Sequence, residues 1–412
     1  MKYGLIGEKL GHSFSREIHE AIGSRPYELK ELTREALPGF LQAADFAGIN
    51  VTIPYKETVI PYLAEVDEAA RLIGAVNTIV NRSGRLCGYN TDFYGMQQLF
   101  ARLGIVPEGR KVLILGTGGT SKTAQALMRH LGAREVLRVS RTAREDAISY
   151  EQMYASHADA DILINTTPCG MYPHGDACPV ELERFLGLSG VVDSIYNPLR
   201  TRLVQAAQAR GIPAEGGLYM LVGQAVRAAE LFLNTTLPDG TLDATYGKIL
   251  REKEDIVLIG MPSCGKSTVG KILRKTLGLP LIDSDVEIVR EAGMPVKDFF
   301  AKFGEPAFRD LESRIIARIS ETGGQVIATG GGVPLRAENV QALKSNGRLF
   351  FIDRPLSWLM PTESRPLSSS PEKLKTLYET RHPIYVAAAD VIIRADGESR
   401  DVAEEIVGSF QS

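Results

Sequence analysis

Short apolar runs alternate with amphipathic stretches along almost the whole chain, the pattern of an α/β protein. In the first 95 residues strands are predicted at Tyr3–Ile6, Tyr27–Leu32 and Ile49–Ile53, with helices near Ser15–Ile22 and Glu35–Ala44. Val76–Asn81 and Leu86–Tyr89, joined across Ser83-Gly84, read as a hairpin. From about Arg110 to Asp193 the pattern becomes β-α-β: Lys111–Leu115, a glycine turn, a helix with Ala124, Leu127, Met128 and Leu131 along one side, then Glu135–Val139. A second unit of this kind opens at Asp255. There an apolar strand runs into a glycine turn, and Val269, Ile272, Leu273 and Leu277 mark one face of the helix that follows. Further strands are expected up to Asp283-Ser284-Asp285 and at Val326–Thr329.

A chain of 412 residues exceeds what one core serves, so two or three domains are expected. A formal charge of -3 gives no basic field for nucleic acid or an anionic membrane. Cys87, Cys169, Cys178 and Cys264 stand far apart without C-x-x-C spacing, which argues against a zinc site or a disulfide framework and for a reducing compartment. No apolar run approaches the ~20 residues of a membrane span. These features predict a cytoplasmic enzyme with small-molecule partners, no nucleic acid and no membrane. They leave the number of copies open, a homo-oligomer included.

Two glycine turns carry the first chemistry. Gly260 and Gly265-Lys266-Ser267 fit G-x-x-x-x-G-K-[ST], whose N–H groups ring a polyphosphate at a helix N-terminus, with Thr268 next in line. Lys266 is expected at the β- and γ-phosphates of a nucleoside triphosphate, Ser267 at Mg²⁺, and Asp283 at the same ion through water. Asp285 is placed to accept a hydroxyl proton. Upstream, Gly116-Thr117-Gly118-Gly119 opens a dinucleotide fold, and Ser140-Arg141-Thr142 ends its second strand. An acidic residue there would suit NAD; the Arg141 guanidinium suits the 2′-phosphate of NADP(H).

Other polar residues stand in frames too specific for a plain core: His12-Ser13-Phe14-Ser15, Asn50-Val51-Thr52-Ile53-Pro54-Tyr55-Lys56, Gly74-Ala75-Val76-Asn77-Thr78, Asn90-Thr91-Asp92, and Gly217-Leu218-Tyr219-Met220-Leu221-Val222-Gly223-Gln224. Singly, Ser13 or Ser15 reads as a helix N-cap and Lys56 as a surface lysine. Together they make residues 1 to about 248 resemble a shikimate dehydrogenase. The resemblance implies NADPH-dependent reduction of 3-dehydroshikimate to shikimate. Ser13 and Ser15 would bind the substrate carboxylate; Asn50, Thr52, Asn77, Asp92, Tyr196 and Gln224 would line the rest of the substrate. Lys56 would be the general acid, with Asp92 its partner. Gly116, Gly118, Gly119, Ser140, Arg141, Thr142, Thr166 and Gly217 would line the cofactor, with Asn165–Pro168 and Asp193–Pro198 on the nicotinamide side. Arg16 and Ser140 depart from the family pattern, which usually has Pro and Asn there.

The second half resembles a shikimate kinase over about 254 to 408, through the phosphate loop, Asp283-Ser284-Asp285, Gly304-Glu305 with Phe308-Arg309, Gly330-Gly331-Gly332, Arg365-Pro366-Leu367, and Arg381 with Pro383 and Tyr385. This implies that Arg309 and Arg381 clamp the carboxylate of shikimate, that Asp285, Gly331 and Gly332 hold its hydroxyls, and that Arg365 sits on a lid over the phosphates. Leu356–Ser364 lacks the basic residue the family usually offers the nucleotide and carries Trp358 and Met360, which predicts a short lid and an apolar adenine contact. Gly397–Asp401 is a second candidate for the adenine side.

The expected architecture is α/β: a two-lobed dehydrogenase, with an α/β substrate lobe (1–95 plus 216–248) and a Rossmann lobe (96–215), then a connector (249–254) and a nucleoside-monophosphate-kinase-like P-loop sheet (255–412). The expected function is a fused enzyme that makes shikimate and phosphorylates it. Two alternatives stay open at this point: a degenerate kinase half that regulates its neighbour, and quinate/shikimate specificity in the first half.

Overall fold

The computed structural model describes residues 1–11, 13–360 and 370–411, and the chain falls into two compact units, Met1–Ile249 and Leu250–Ser412. The first unit holds two six-stranded sheets. β1 (Tyr3–Gly7), β2 (Tyr27–Glu31), β3 (Gly48–Val51), β4 (Glu65–Val66), β5 (Thr78–Arg82) and β6 (Arg85–Tyr89) make one, in the order β2-β1-β3-β5-β6-β4. β1 runs parallel to β2 and β3, while β5 runs antiparallel to β3 and β6. The β5–β6 hairpin closes on Ser83 and Gly84 at φ 54° and 88°, the two positive angles of a type I′ turn. The strand expected to reach residue 53 stops at Val51, because Pro54 has no N–H to pair and Tyr55 N turns back to Thr52 O.

β7 (Lys111–Leu115), β8 (Glu135–Ser140), β9 (Ile148–Ser149), β10 (Ile162–Asn165), β11 (Gly190–Asp193) and β12 (Ala214–Glu215) make the second sheet, wholly parallel, in the order β12-β11-β10-β7-β8-β9. This is the doubly wound order, with its crevice where the topology reverses at the ends of β7 and β10. Val112–Leu115 and Ile162–Ile164 have no exposed surface, as parallel strands covered on both faces require.

The helices Thr91–Leu103 and Leu218–Leu233 pack together at two glycines. A Cβ on Gly95 would stand 2.3 Å from Met220 O, and one on Gly223 would stand 3.1 Å from Gly95 Cα. That close crossing puts the first turn of one helix beside Gln224 on the other. Asn90 starts the first helix by accepting from Phe93 N at 3.3 Å, and Gly104 ends it at φ 64°.

Residues 249–254, expected as a connector, are instead almost wholly the end of a helix, Thr241–Lys253, that runs across the unit boundary. Leu242, Thr245 and Ile249 recur at helical spacing beneath its charges, and Ile249 is fully buried.

The second unit is one parallel sheet of β13 (Asp255–Ile259), β14 (Leu281–Asp283), β15 (Val326–Ala328), β16 (Gly347–Asp353) and β17 (Val391–Arg394), in the order β14-β15-β13-β16-β17. β13 is buried along its length and leads into the phosphate loop and the helix Lys266–Leu277. The helix Val296–Ile319 breaks at Gly304 (φ 79°, ψ 172°), so a second helix starts at Glu305 with Pro306 in its first turn, where a missing N–H costs nothing. Among the described residues no helix is long and apolar enough to cross a membrane.

Candidate active sites

The first site forms where the turn after β3, the start of β5 and the helix Thr91–Leu103 converge. The capped helix start sets Asp92 in the first turn, where the N-terminal dipole favours a carboxylate. Lys56 Nζ lies 2.5 Å from Asp92 Oδ2, the lysine side chain 17% exposed and the aspartate 4%. Asn77 Nδ2 donates to Asp92 Oδ1 at 2.9 Å and to Gln224 Oε1 at 3.2 Å. Asn77 Oδ1 accepts from Thr91 N at 2.7 Å, Thr78 Oγ1 at 3.1 Å and Thr91 Oγ1 at 3.2 Å. Thr52 is half-buried on the same turn as Lys56.

Asn50 commits its amide to neighbours: Oδ1 accepts from Tyr27 OH at 2.8 Å, and Nδ2 donates to Thr78 Oγ1 at 3.0 Å. Ser13 and Ser15 bring their hydroxyls within 2.9 Å of each other, and Ser13 Oγ accepts from Ser15 N at 3.2 Å. Phe14 between them is the N-cap, without a side-chain cap bond, so neither serine is the helix cap. Its ring meets Tyr196 at 5.2 Å, which brings two ends of the unit together, and burial raises the Tyr196 phenol. Arg16 donates from Nε to Tyr27 O at 3.1 Å. His12 lies outside the described residues.

The Gly116–Gly119 turn adjoins this site. Gly116 turns at φ 109°, and a Cβ there would lie 2.7 Å from Thr166 Oγ1. Gly118 leaves the helix Gly119–His130 without a side-chain cap, so its first N–H groups are available to an anion. A Cβ on Gly119 would lie 3.8 Å from Lys56 Cδ, which sets this loop against the lysine. At the end of β8 the Ser140 hydroxyl donates to Thr142 O, and Arg141 and Thr142 are exposed, fitting a 2′-phosphate.

Asp193, fully buried, ties the Asn165–Pro168 and Asp193–Pro198 loops together. It accepts from Asn165 Nδ2 at 3.0 Å, Ile195 N at 3.0 Å and Thr201 Oγ1 at 2.7 Å. Burial pushes its carboxyl up to about 6 against the pull of those three donors. Thr166 donates from both N and Oγ1 to Leu115 O at 2.9 and 2.6 Å. Gly217 N donates to Ile195 O at 2.7 Å, and a Cβ on it would strike Ser194 O at 2.2 Å, so only glycine fits.

In the second unit Gly260, Ser263 and Gly265 take φ of 144°, 65° and 102°, a backbone that turns successive N–H groups inward around an anion. Lys266 Nζ donates to Gly260 O at 2.8 Å and Met261 O at 2.9 Å. Ser267 Oγ donates to Asp283 Oδ2 at 2.7 Å, with Thr268 exposed beside it. A hydroxyl and a carboxylate at a strand end suit Mg²⁺, which takes one or two protein oxygens and completes its shell with phosphate and water. Among the described residues no group of three or more His, Cys, Asp or Glu could hold a metal ion.

Around the Gly330–Gly332 turn stand two guanidiniums and three carboxylates. Arg381 Nη1 and Tyr385 OH both donate to Gly331 O, at 3.0 and 2.6 Å, from successive turns of the helix Pro371–Ala388. Arg309 pairs with Glu312 at 2.8 Å and Glu305 at 3.1 Å. A Cβ on Gly332 would lie 2.0 Å from Arg309 Nη1, and one on Gly330 would lie 2.6 Å from Asp285 Oδ1. A side chain at Gly330 or Gly332 would therefore displace a charged group, and one at Gly331 would press on Pro262 at 3.1 Å. Burial raises the Glu312 carboxyl, though Arg309 pulls it down.

Arg365 lies outside the described residues, with the rest of 361–369. Trp358 is 49% exposed, and Arg354, just ahead of the stretch that lacks a basic residue, stacks its guanidinium 5.8 Å from the indole centroid. Arg354 Nη2 also donates to Gly397 O at 3.4 Å. Ser399 Oγ lies 3.7 Å from the position of a Cβ on Gly265, so the Gly397–Asp401 loop borders the phosphate loop. Sequence reasoning missed Glu312, Arg354 and His19, and treated Asp193 only as part of a segment.

Residues 5–79 match the family model of the shikimate dehydrogenase substrate binding domain, and residues 262–411 that of shikimate kinase. Shikimate dehydrogenase (NADP(+)) of Clostridium beijerinckii is 36% identical over 261 residues, 59% of this chain and 96% of that protein. Shikimate dehydrogenase 1 from Peptoclostridium difficile superposes with a TM-score of 0.56 at 35% identity, covering 60% of this chain and 98% of that one. Shikimate 5-dehydrogenase from Thermus thermophilus, solved in complex with NADP(H) and shikimate, gives 0.55 at 29% identity, covering 60% and 99%. The chain belongs to the shikimate dehydrogenase family and carries a shikimate kinase domain behind that unit, which makes it a bifunctional enzyme of the shikimate pathway.

Proposed function

We propose that the first unit reduces the 3-keto group of 3-dehydroshikimate to shikimate, and that the second phosphorylates the 3-hydroxyl of shikimate. The observation that carries this reading is the Lys56–Asp92 pair at 2.5 Å beside the Gly119 loop. NADPH, held by Gly116, Gly118, Gly119, Arg141, Thr142 and Thr166, supplies a hydride. The carbonyl oxygen then needs a proton, and Lys56 Nζ gives it. Asp92, fixed by Asn77, keeps the lysine in place, and the partial exposure of Lys56 lets solvent restore its proton. Ser13 and Ser15 hold the carboxylate of the substrate; Thr52, Asn77, Tyr196 and Gln224 hold its remaining face.

In the second unit ATP with Mg²⁺ supplies the phosphoryl group, held by the 260–268 loop, Lys266, Ser267 and Asp283. Arg309 and Arg381 clamp the shikimate carboxylate, the bare backbone of Gly331 and Gly332 admits the ring, and Asp285 takes the hydroxyl proton. Positioning and charge neutralisation suffice for phosphoryl transfer, and Arg365 would add a further positive charge.

Cross-silencing tests the reading. Lys56→Met should abolish NADPH-dependent reduction and spare phosphorylation of added shikimate; Lys266→Met should do the reverse. Loss of both activities in either variant, or of neither, contradicts it.

A further inference from the structure

We propose that Tyr27 and Asn50 are positioning residues for the reduction, acting through Thr78 to fix the amide of Asn77, which in turn holds Asp92 for Lys56. The inference rests on the reductase reading above and assigns Asn50 away from the substrate. Its basis is an unbroken chain of hydrogen bonds. Tyr27 OH donates to Asn50 Oδ1 at 2.8 Å, Asn50 Nδ2 to Thr78 Oγ1 at 3.0 Å, Thr78 Oγ1 to Asn77 Oδ1 at 3.1 Å, and Asn77 Nδ2 to Asp92 Oδ1 at 2.9 Å.

Direction matters more than the number of bonds. A carboxamide has a donor end and an acceptor end of nearly the same shape, and a flipped Asn77 would turn its carbonyl toward the Asp92 carboxylate. Thr91 N, a fixed backbone donor at 2.7 Å, favours the correct face. The hydroxyls of Thr78 and Thr91 rotate, and by themselves they could donate or accept. Asn50 Nδ2 occupies a lone pair of Thr78 Oγ1 and so leaves that oxygen its proton to give. Asn50 in turn has its orientation set by the backbone carbonyl of Asn77, which can only accept and takes Asn50 Nδ2 at 3.4 Å, and this leaves Oδ1 facing the Tyr27 hydroxyl at 2.8 Å.

Tyr27 is buried to 1% exposure. Burial raises its phenol well above the ordinary value, so it stays a donor. Its ring stacks on His19 at 4.1 Å and 5°, and burial pushes His19 down to about 3, which keeps that imidazole neutral. The chain thus runs from β2 through β3 and β5 to the helix start, and none of Tyr27, Thr78, Asn77 and Asp92 is more than 3% exposed.

Steady-state kinetics of the reductase on Tyr27→Phe, Asn50→Ala, Thr78→Val, Thr78→Ser and the Tyr27→Phe/Asn50→Ala double variant test this. Tyr27→Phe and Thr78→Val should lower kcat about tenfold, the worth of one oriented hydrogen bond, with KM for 3-dehydroshikimate changed less than about twofold. Thr78→Ser keeps the hydroxyl and should restore kcat. Because the residues act in series, the double variant should be no slower than Asn50→Ala alone. An unchanged kcat in Tyr27→Phe, or an Asn50→Ala variant that raises KM at constant kcat, overturns the proposal and returns Asn50 to the substrate. A wild-type protein without NADPH-dependent reduction would instead overturn the reductase reading beneath it.

Discussion

Gly95→Ala adds one methyl group where two helix backbones touch. Its Cβ would lie 2.3 Å from Met220 O and 2.9 Å from Gln224 N, atoms that no rotamer change can move. Ordinary contact begins near 3.4 Å, so the helices must part by 3.4 minus 2.3, about 1.1 Å. Overpacking of this kind costs about 1–3 kcal/mol. For a unit of this size that lowers the midpoint of unfolding by roughly 3–10 °C. The same movement stretches the 3.2 Å bond between Asn77 and Gln224 beyond hydrogen-bonding range. A displacement of about 1 Å at a positioning contact reduces turnover by up to about 100-fold. The assay heats one sample and follows both activities: reductase activity should be lost at lower temperature, with reduced kcat/KM before heating, while kinase activity follows the wild type. Wild-type reductase constants and wild-type heat resistance together would refute the steric argument.

Asp193→Asn tests the buried carboxylate. Its native value near 6 lies above the ordinary 3.8, so the folded state binds more protons than the unfolded between those values, and ionised Asp193 costs stability as pH rises through the window. The difference in stability, variant minus wild type, should therefore grow from pH 4 to 6, by on the order of 3 kcal/mol for a shift of about 2 units; a flat difference would show that the group does not titrate there. Glu312→Gln removes the buried charge behind Arg309 and should raise the kinase KM for shikimate about tenfold, through a partly broken buried pair; an unchanged KM would mean Glu305 alone holds the guanidinium. Trp358→Ala should weaken ATP by roughly 5- to 100-fold, the range for loss of one base stack, and an unaltered KM for ATP would remove the indole from the nucleotide site.

Much of the fold was legible because its signals are local. Val112–Leu115 is apolar and bounded by a glycine turn, and Gly260 and Gly265 punctuate the phosphate loop, so strand, loop and helix follow from spacing alone. The helix Thr241–Lys253 was not legible, since its apolar stripe is thin and its charges resemble those of a linker. The sites divide the same way. Residue frames brought Lys56, Asn77, Asp92 and Gln224 to notice, and the Gly95–Gly223 crossing brings them within hydrogen-bond reach. Glu312 looks in sequence like any i, i+3 surface partner of Arg309, and only packing shows it 1% exposed. Asn50 sits in the same motif as Lys56, yet its amide is held by Tyr27, Asn77 and Thr78, 23 to 28 residues away.

The most direct measurement gives the purified protein 3-dehydroshikimate, NADPH and Mg-ATP and follows NADPH absorbance together with the phosphorus spectrum of the product. A bifunctional chain consumes NADPH and accumulates shikimate 3-phosphate, one for one at completion, after a lag in which free shikimate appears. NADPH consumption that ends at shikimate, with ATP untouched, would contradict the assignment of a working kinase to the second unit.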